Sequence, residues 1–306
     1  MISDAWFDGF DTQHINTSNA GIFVRTGGKR DASPLLLLHG FPQTHVMWHR
    51  VAQQLQDHFF LVIPDLRGYG DSSHAPGLPG HSNYSKRAMA LDMAEVMTTL
   101  GFEQFFVCGH DRGARVSHRL ALDFAARVRR LCLIDIAPTL DMYDRTDMAF
   151  ATAYYHWFHL IQPSPLPENM IGGNAKCYLH AKLGGWGGRG LQDVEPQALV
   201  EYERCFCKPE TIHTACEDYR ASASIDLMHD RESRTLGEKI RCDTLVLWGE
   251  QGVVQRFFDP LALWQAQCAG TVSGGTLPAG HFIPEQLPGA TADALKAFFV
   301  EVQTGL

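Results

Sequence analysis

The sequence predicts an α/β protein in which a mostly parallel sheet carries helices on both faces. Short apolar runs rich in Leu, Val and Ile alternate with segments of helical periodicity, which is the pattern of this architecture. One stretch, between Ala137 and about Gly237, breaks the alternation, because it is aromatic, rich in His and punctuated by Gly and Pro. A connection of this length needs structure of its own, so we predict a helical cap over the carboxyl ends of the strands.

The alternating part of the chain is predicted to form seven strands and five helices. The strands are Ile22–Arg25, Leu35–Leu38, Phe59–Pro64, Gln104–Cys108, Arg130–Ile134, Thr244–Trp248 and Gly270–Leu277. The helices are Met47–Asp57, Lys86–Leu100, Ala114–Phe124, Pro260–Cys268 and Thr291–Thr304. Residues 1–137 and 238–306 are therefore assigned to an α/β core domain, and residues 138–237 to the cap domain.

Composition and charge are those of an ordinary globular protein. Of the 306 residues, 45% are hydrophobic and 20% are charged. The net charge of −8 argues against nucleic acid or an anionic membrane as a partner, and no apolar run approaches the roughly 20 residues of a membrane span. The amino terminus has no basic region and no apolar signal core, and the eight cysteines lack paired CxxC spacing. Buried free thiols in a reducing cytoplasm are therefore expected.

The most informative motif follows the predicted strand Gln104–Cys108. It reads Gly109-His-Asp111-Arg-Gly113 and leads into a helix rich in Ala, Leu and Arg. This arrangement matches a nucleophile elbow, a strained strand-to-helix turn that exposes one side chain above the sheet. An Asp that caps the helix in an ordinary turn is the alternative. We predict that Asp111 is a nucleophile.

An Asp in this position restricts the chemistry. A serine that attacks a saturated carbon would leave an ether, which water does not readily cleave. A carboxylate leaves an ester, which water cleaves at the aspartyl carbonyl. The elbow Asp111 therefore predicts displacement at a saturated carbon through a covalent ester, with haloalkanes, haloacids and epoxides as candidate substrates.

A histidine and an acidic partner follow in the chain order of an elbow enzyme. His281 lies between the last predicted strand and the last helix, and it would activate the water that hydrolyses the ester. Asp135 and Glu250 each end a strand and could orient it, and Asp135 is favoured because its strand follows the nucleophile's helix directly. The backbone N–H groups of Phe41 and Arg112 are the predicted oxyanion donors.

Two arginines accompany the predicted nucleophile. Arg112 and Arg115 are three residues apart at the start of the helix and therefore share a face. Cations at this end oppose the helix dipole, so two of them beside a carboxylate call for a compensating anion. A substrate carboxylate would be that anion, and salt bridges to nearby acidic side chains are the alternative.

With these motifs in place, the sequence resembles the haloacetate (fluoroacetate) dehalogenases of the α/β-hydrolase fold. Matching motifs are spread along nearly the whole chain, and the Arg that follows the nucleophile and recurs three residues later is the most specific. The matching segments are His39-Gly-Phe-Pro-Gln-Thr-His45, Gly109-His-Asp-Arg-Gly-Ala-Arg115, Leu133-Ile-Asp-Ile-Ala-Pro138, Tyr155-His-Trp-Phe158, Glu217-Asp-Tyr-Arg220 and Ala279-Gly-His-Phe282.

The resemblance implies a role for each site residue. Asp111 would be the nucleophile, His281 the base and Asp135 its partner, while Arg112 and Arg115 would bind the carboxylate of a small haloacid. The departing halide would be bound by three residues, His156, Trp157 and Tyr219. From composition alone, a His-Trp pair in an aromatic helix is more often a packing feature. The resemblance also implies a homodimer, and the proposed chemistry needs no cofactor or metal.

Other functions remain open at this point. An epoxide hydrolase shares the elbow Asp, and Tyr154 or Tyr155 with Tyr219 could protonate an epoxide oxygen. The paired arginines argue against it, and against a haloalkane dehalogenase, because those substrates have no carboxylate. A non-catalytic receptor on the same fold is opposed by the intact nucleophile, acid and base. Trp186, in Gly184-Gly-Trp-Gly-Gly188, is either a lid residue or the buried anchor of an irregular loop.

Overall fold

The computed structural model describes residues 6–300, which form one eight-stranded sheet with helices on both faces. The strands are β1 (Asp11–Asn16), β2 (Gly21–Gly28), β3 (Pro34–Leu38), β4 (Phe60–Pro64), β5 (Phe105–His110), β6 (Val128–Ile134), β7 (Asp243–Gly249) and β8 (Val272–Leu277). Their order in the sheet is β1-β2-β4-β3-β5-β6-β7-β8. Only β2 runs antiparallel to its neighbours, β1 and β4, and the other pairs are parallel. The predicted fold class is confirmed.

The central strands are continuous apolar runs because helices cover both faces of the sheet. Every residue of β5 is buried, and so are Leu35–Leu38 of β3 and Leu131–Ile134 of β6. Parallel strands buried on both faces lack the polar alternation of a half-exposed sheet. Strand β5 lies between β3 and β6, so the residue that follows it emerges at the middle of the sheet edge.

The sequence did not predict β1, which lies at the edge of the sheet. Its residues, Asp-Thr-Gln-His-Ile-Asn, are mostly exposed, and Ile15 alone is buried. An edge strand with one apolar contact has neither the alternation nor the apolar run on which strand prediction depends.

Seven helices lie in the core part of the described chain. They are α1 (His49–Leu55), α2 (Lys86–Thr99), α3 (Arg112–Asp123), α12 (Val253–Phe257), α13 (Pro260–Gln267), α14 (Ile283–Gln286) and α15 (Pro288–Phe299). Several predicted helix boundaries were wrong, and three helices show the largest differences. The helix predicted from Met47 begins as a 3-10 turn at His45, α3 begins two residues before Ala114, and α15 begins at Pro288 and ends at Phe299. The predicted end of the last helix, Thr304, lies outside the described residues.

Between Ile134 and Asp243, within the described chain, the structure is helical and has no strand. The helices are α4 (Thr139–Asp144), α5 (Met148–Ala153), α6 (Tyr155–Leu160), α7 (Leu166–Gly172), α8 (Ala175–Leu183), α9 (Pro196–Phe206), α10 (Pro209–Ser222) and α11 (Ile225–Thr235). Helix α10 contacts the core through Asp218, which hydrogen-bonds Tyr69 and Arg112. The helical insertion predicted from composition is thus present.

Two further predictions concern cysteines and membranes. All eight cysteines are free thiols, as predicted; five are buried, Cys207 and Cys242 are half-buried, and Cys177 is exposed. Among residues 6–300, no helix combines the length and the apolar character that crossing a membrane requires.

Candidate active site

Asp111 is the turn between β5 and α3. Its backbone has φ 48° and ψ −114°, a left-handed conformation that costs a non-glycine residue about 1–3 kcal/mol. The side chain is buried, with 6% of its surface exposed, and it stands at the amino terminus of α3. The positive end of a helix dipole favours an anion in this position. A strained, buried carboxylate above the centre of the sheet has the geometry of a nucleophile elbow.

Glycines make the tight turn possible. A Cβ atom on Gly40 would clash with the Cβ of Asp111, and one on Gly113 would clash with the carbonyl oxygen of His39. One on Gly109 would clash with the side chain of Ser117. The segment that follows β3 and the first turns of α3 therefore pack closely against the elbow only because glycine occupies these three positions.

Asp135, and not Glu250, contacts His281. The Oδ2 atom of Asp135 lies 2.5 Å from Nδ1 of His281, and both side chains are buried. The Oδ1 atom of Asp135 accepts a hydrogen bond of 2.9 Å from the amide of Gly249. Glu250 is exposed to solvent. Asp135 also has a left-handed φ of 52°, so both carboxylates beside His281 occupy strained backbone positions.

The free nitrogen of His281 faces Asp111. Its Nε2 atom is 3.8 Å from Oδ2 of Asp111, is buried and has no hydrogen-bond partner among the described residues. Burial alone would lower the pKa of His281, but the hydrogen bond and charge of Asp135, together with the charge of Asp111, outweigh burial and raise it. The arrangement suits a base whose protonated form is stabilised.

The loop that carries His281 crosses the end of β7 to reach the elbow. A Cβ atom on Gly249 would clash with the carbonyl oxygen of Gly280, so the crossing requires glycine there. The amide of His281 donates to the carbonyl of Trp186 at 2.9 Å, and Nε2 of His110 donates to the carbonyl of His281 at 2.8 Å. Burial, with the nearby His281, lowers the pKa of His110 to about 3, which keeps it neutral.

One of the two predicted oxyanion amides contacts Asp111. The amide of Phe41 donates to Oδ1 of Asp111 at 2.9 Å. The amide of Arg112 makes no hydrogen bond to this carboxylate among the described residues. Burial would raise the pKa of Asp111, but His281 and Arg112 lower it below the usual value, with smaller contributions from His110 and Arg115. Asp111 is therefore ionised at neutral pH.

Arg112 already has an acidic partner. Its Nε and Nη2 atoms donate to the two carboxylate oxygens of Asp218 at 2.9 and 2.8 Å, and Nη2 also donates to Ser222. Its Nη1 atom is buried and has no partner among residues 6–300. Cζ lies 4.2 Å from the centre of the Tyr219 ring. Arg112 therefore makes the salt bridge to an acidic side chain that sequence analysis gave as the alternative to binding a substrate carboxylate. One donor group of Arg112 remains free in the described structure.

Arg115 has no acidic partner in the described part of the chain. It donates to the carbonyl of Ala137 at 3.3 Å and to the hydroxyl of Thr139 at 2.8 Å, and Nη2 lies 3.2 Å from the sulfur of Met142. Nε is buried without a partner, and the side chain is only 3% exposed. Burial, with the neighbouring Arg112, lowers the pKa of Arg115. This guanidinium is a buried cation that makes no salt bridge to an acidic side chain among the described residues, although the charge of Asp111 acts on it.

The three residues that the resemblance assigns to halide lie around the two arginines. His156 and Trp157 are buried in α6, and Tyr219 is buried in α10. The ring of Trp157 is 4.8 Å from Cζ of Arg115, and the rings of His156 and Tyr219 are 5.5 Å apart. Nδ1 of His156 and the hydroxyl of Tyr219 are buried without partners in the described structure. Unpaired buried polar groups are costly unless a ligand uses them.

Comparisons with known proteins show which family the chain belongs to. Residues 33–167 match the family model described as alpha/beta hydrolase fold. The chain is 41% identical to a fluoroacetate dehalogenase from Burkholderia sp, over 98% of this chain and 97% of that protein. The chain belongs to the α/β-hydrolase fold family. The resemblance to fluoroacetate dehalogenases is thereby confirmed.

Other α/β-hydrolases are also similar. The chain is 30% identical to a soluble epoxide hydrolase from Corynebacterium sp. (strain C12), over 88% of this chain and 91% of that protein. A crystal structure of an alpha/beta hydrolase from Nostoc sp PCC 7120 superposes with a TM-score of 0.93 at 53% identity, covering 97% of this chain and all of that one. Because of the similarity to an epoxide hydrolase, epoxide hydrolysis is the alternative reaction that an assay has to distinguish.

Sequence reasoning about this α/β-hydrolase assigned no role to Asp218 and left Trp186 open. Trp186 is 5% exposed, and its ring lies 4.5 Å from that of His156 and 5.2 Å from that of His281. Asp218 stands within the Glu217–Arg220 motif, but nothing in the sequence indicates that it reaches Arg112, which is 106 positions away. Only tertiary structure reveals such a contact.

Proposed function

We propose that this hydrolase cleaves the carbon–halogen bond of haloacetates and converts fluoroacetate to glycolate and fluoride. One observation carries the proposal: Arg115 is a buried guanidinium that has no salt-bridge partner among the described residues, on the same helix turn as the ionised, strained Asp111 with which it interacts electrostatically. A buried cation is stable when it is paired, and a small carboxylate would pair it. The fluoroacetate dehalogenase relative supports the same substrate class.

In the first step, Oδ2 of Asp111 attacks the α-carbon while the carbon–fluorine bond breaks and fluoride leaves with the bonding electrons. Oδ1 is already held by the amide of Phe41, so Oδ2 is the free oxygen. The products are fluoride and a glycolyl ester on Asp111. His156, Trp157 and Tyr219 would stabilise the fluoride, because imidazole, indole and phenol each offer a donor.

In the second step, water attacks the aspartyl carbonyl and His281 accepts its proton. The charge on Oδ1 would be stabilised by the amides of Phe41 and Arg112. The tetrahedral intermediate collapses with cleavage of the bond to the glycolate oxygen, which takes up the proton held by His281 and becomes the hydroxyl of glycolate. The re-formed carboxyl group of Asp111 loses its own proton to solvent and is again a carboxylate. Asp135 stabilises the protonated His281 by the contact of 2.5 Å. Fluoroacetate and water are thus converted to glycolate, fluoride and a proton.

The charge of Asp111 links the two steps. That charge is one cause of the raised pKa of His281. Esterification neutralises Asp111, so the pKa of His281 falls once the ester has formed. The base therefore becomes available at the stage that needs it.

The direct test is halide release. Purified protein is incubated with fluoroacetate, chloroacetate and styrene oxide, and halide, glycolate and diol are measured. We expect catalytic release of fluoride and chloride with equal amounts of glycolate. Diol formation without halide release would favour epoxide hydrolysis. The suitable donors for that reaction are the buried Tyr154 and the hydroxyl of Tyr219, which has no partner among residues 6–300. Asp111→Asn is the control and should be inactive on every substrate.

We further propose that the enzyme is a cytoplasmic homodimer. Eight unpaired cysteines support a reducing compartment. The dimer is implied by the resemblance, and sedimentation at several protein concentrations would test it.

A further inference from the structure

We propose that Asp218 is a positioning residue, which holds Arg112 in the orientation required to align the substrate carboxylate for attack by Asp111. This inference rests on the proposed function and adds a residue to it. Asp218 lies in α10, has no exposed surface and accepts hydrogen bonds from three side chains. Arg112 contributes two of these bonds, Tyr69 donates at 2.7 Å, and Lys86 contributes a short one.

The contacts of Asp218 restrict the movement of Arg112. Both oxygens of Asp218 engage one edge of the guanidinium, and the backbone oxygen of Asp218 also accepts from Nη2 at 3.1 Å. A fork of two parallel bonds fixes the plane of a guanidinium as well as its position. The ring of Tyr219 supports one face of the guanidinium, with Cζ 4.2 Å from the ring centre. Nη1 is buried and has no partner in the described part of the chain, so it is the nitrogen of this guanidinium that remains free to donate to a ligand.

Charge balance shows why this role is orientation and not attraction. Asp218 is shared by two cations, Arg112 and Lys86, and Lys86 lies 3.6 Å from a second carboxylate, Asp226. Two positive and two negative groups thus form a cluster without net charge. Arg115, by contrast, makes no salt bridge to an acidic side chain among the described residues, so its donors are not held by a carboxylate as those of Arg112 are. Arg115 therefore attracts the carboxylate, and Arg112, held by Asp218, sets its angle.

This division of roles predicts a separation of kinetic constants for Asp218→Asn. The variant keeps the size of the side chain but removes the fork and one negative charge. Because the site becomes more positive, haloacetate should bind about as well as before. Because Arg112 is no longer held, attack by Asp111 should be misaligned. We expect kcat for fluoroacetate to fall about 10- to 100-fold, with KM within about threefold of wild type.

Asp226→Asn is the matched control. It removes the same charge from the same cluster, but Asp226 does not contact Arg112; it contacts Lys86 and Ser222. Its kcat should stay within about threefold of wild type. Thermal unfolding should show that both variants are folded at the assay temperature, although Asp218→Asn should unfold at the lower temperature because Asp218 pairs with both buried cations of the cluster. If Asp218→Asn does not fold, Tyr69→Phe removes one hydrogen bond from Asp218 and should lower kcat by a smaller factor, again with KM unchanged.

The outcomes separate the two proposals. Wild-type protein that releases no halide from any haloacid overturns the proposed function and this inference together. Wild-type turnover with an unchanged kcat in Asp218→Asn, or an equal loss in Asp226→Asn, overturns the role of Asp218 alone. A rise in KM without a change in kcat also overturns it, since that result would assign Asp218 to binding. If Asp218→Asn does not fold, an unchanged kcat in Tyr69→Phe overturns the role of Asp218.

Discussion

Removal of Arg115 should abolish most haloacetate activity without unfolding the protein. Arg115→Met keeps a long apolar chain beside Trp157 and removes the charge. One charge-assisted hydrogen bond to a carboxylate is worth about 1.5–3 kcal/mol, which corresponds to a loss of about 10- to 150-fold in kcat/KM. Two unit charges about 4 Å apart at an effective dielectric constant of about 20 attract by about 4 kcal/mol, so the upper limit is about 1000-fold.

The stability of the variant follows from the partners of Arg115. They are a carbonyl, a hydroxyl and a sulfur atom, so the substitution leaves no buried anion unpaired. Arg112→Met, by contrast, removes the fork from the buried Asp218 and should cost up to about 3–5 kcal/mol of unfolding free energy. The two variants should therefore both lose activity but differ clearly in Tm.

The assay is steady-state halide release from fluoroacetate and chloroacetate, combined with thermal unfolding of each purified variant. A folded Arg115→Met protein with the kcat/KM of wild type would refute the carboxylate clamp. Equal Tm losses in both variants would refute the reasoning about partners, because in the described structure Arg112 makes a salt bridge to a buried carboxylate and Arg115 does not.

Three further predictions address the base, the halide site and pH. His281→Ala should release at most about one halide per site, and mass spectrometry should find an adduct of about 58 Da on Asp111; steady turnover would contradict the assigned base. His156→Ala and Trp157→Phe should slow fluoroacetate turnover more than chloroacetate turnover, because fluoride is the poorer leaving group; equal losses would indicate packing roles. Burial raises the pKa of Glu285 from 4.5 to about 7. As the pH rises between these values, the unfolded chain loses the proton of Glu285 while the folded protein keeps it, so the unfolding free energy should fall by about 3 kcal/mol. The unfolding free energy is measured with urea at about pH 5 and about pH 8, and its fall between the two should be smaller in Glu285→Gln than in wild type. The same fall in both proteins would contradict the role of Glu285.

The sequence was most informative where local pattern and chemistry coincide. The apolar run before Asp111, the flanking glycines and the following helix predict an elbow because each feature is local. Order along the chain and the adjacency of successive parallel strands favoured Asp135 over Glu250, and the structure places Asp135 against His281. Both inferences need only the rules by which strands join helices in an α/β sheet.

Prediction was weakest where distant segments meet. Spacing placed Arg112 and Arg115 on one helix face but did not reveal that, of the two, Arg112 alone has a salt-bridge partner within the described chain. That partner, Asp218, comes from the helical insertion, and a contact across 106 positions leaves no local signal. The edge strand β1 was missed for a different reason, since its residues are mostly polar and exposed.

The bond between Arg112 and Asp218 has a consequence for how such proteins diversify. Arg112 belongs to the elbow and Asp218 to the insertion, so recombination that exchanges the insertion alone would separate a buried cation from its anion. Leaving either charge unpaired is strongly destabilising. A protein with a new insertion is therefore expected to keep its stability only if the insertion supplies an acidic side chain at this position or if the elbow arginine is replaced at the same time. The two segments are expected to evolve as a unit, and chimeras that respect the pair should fold more often than those that break it.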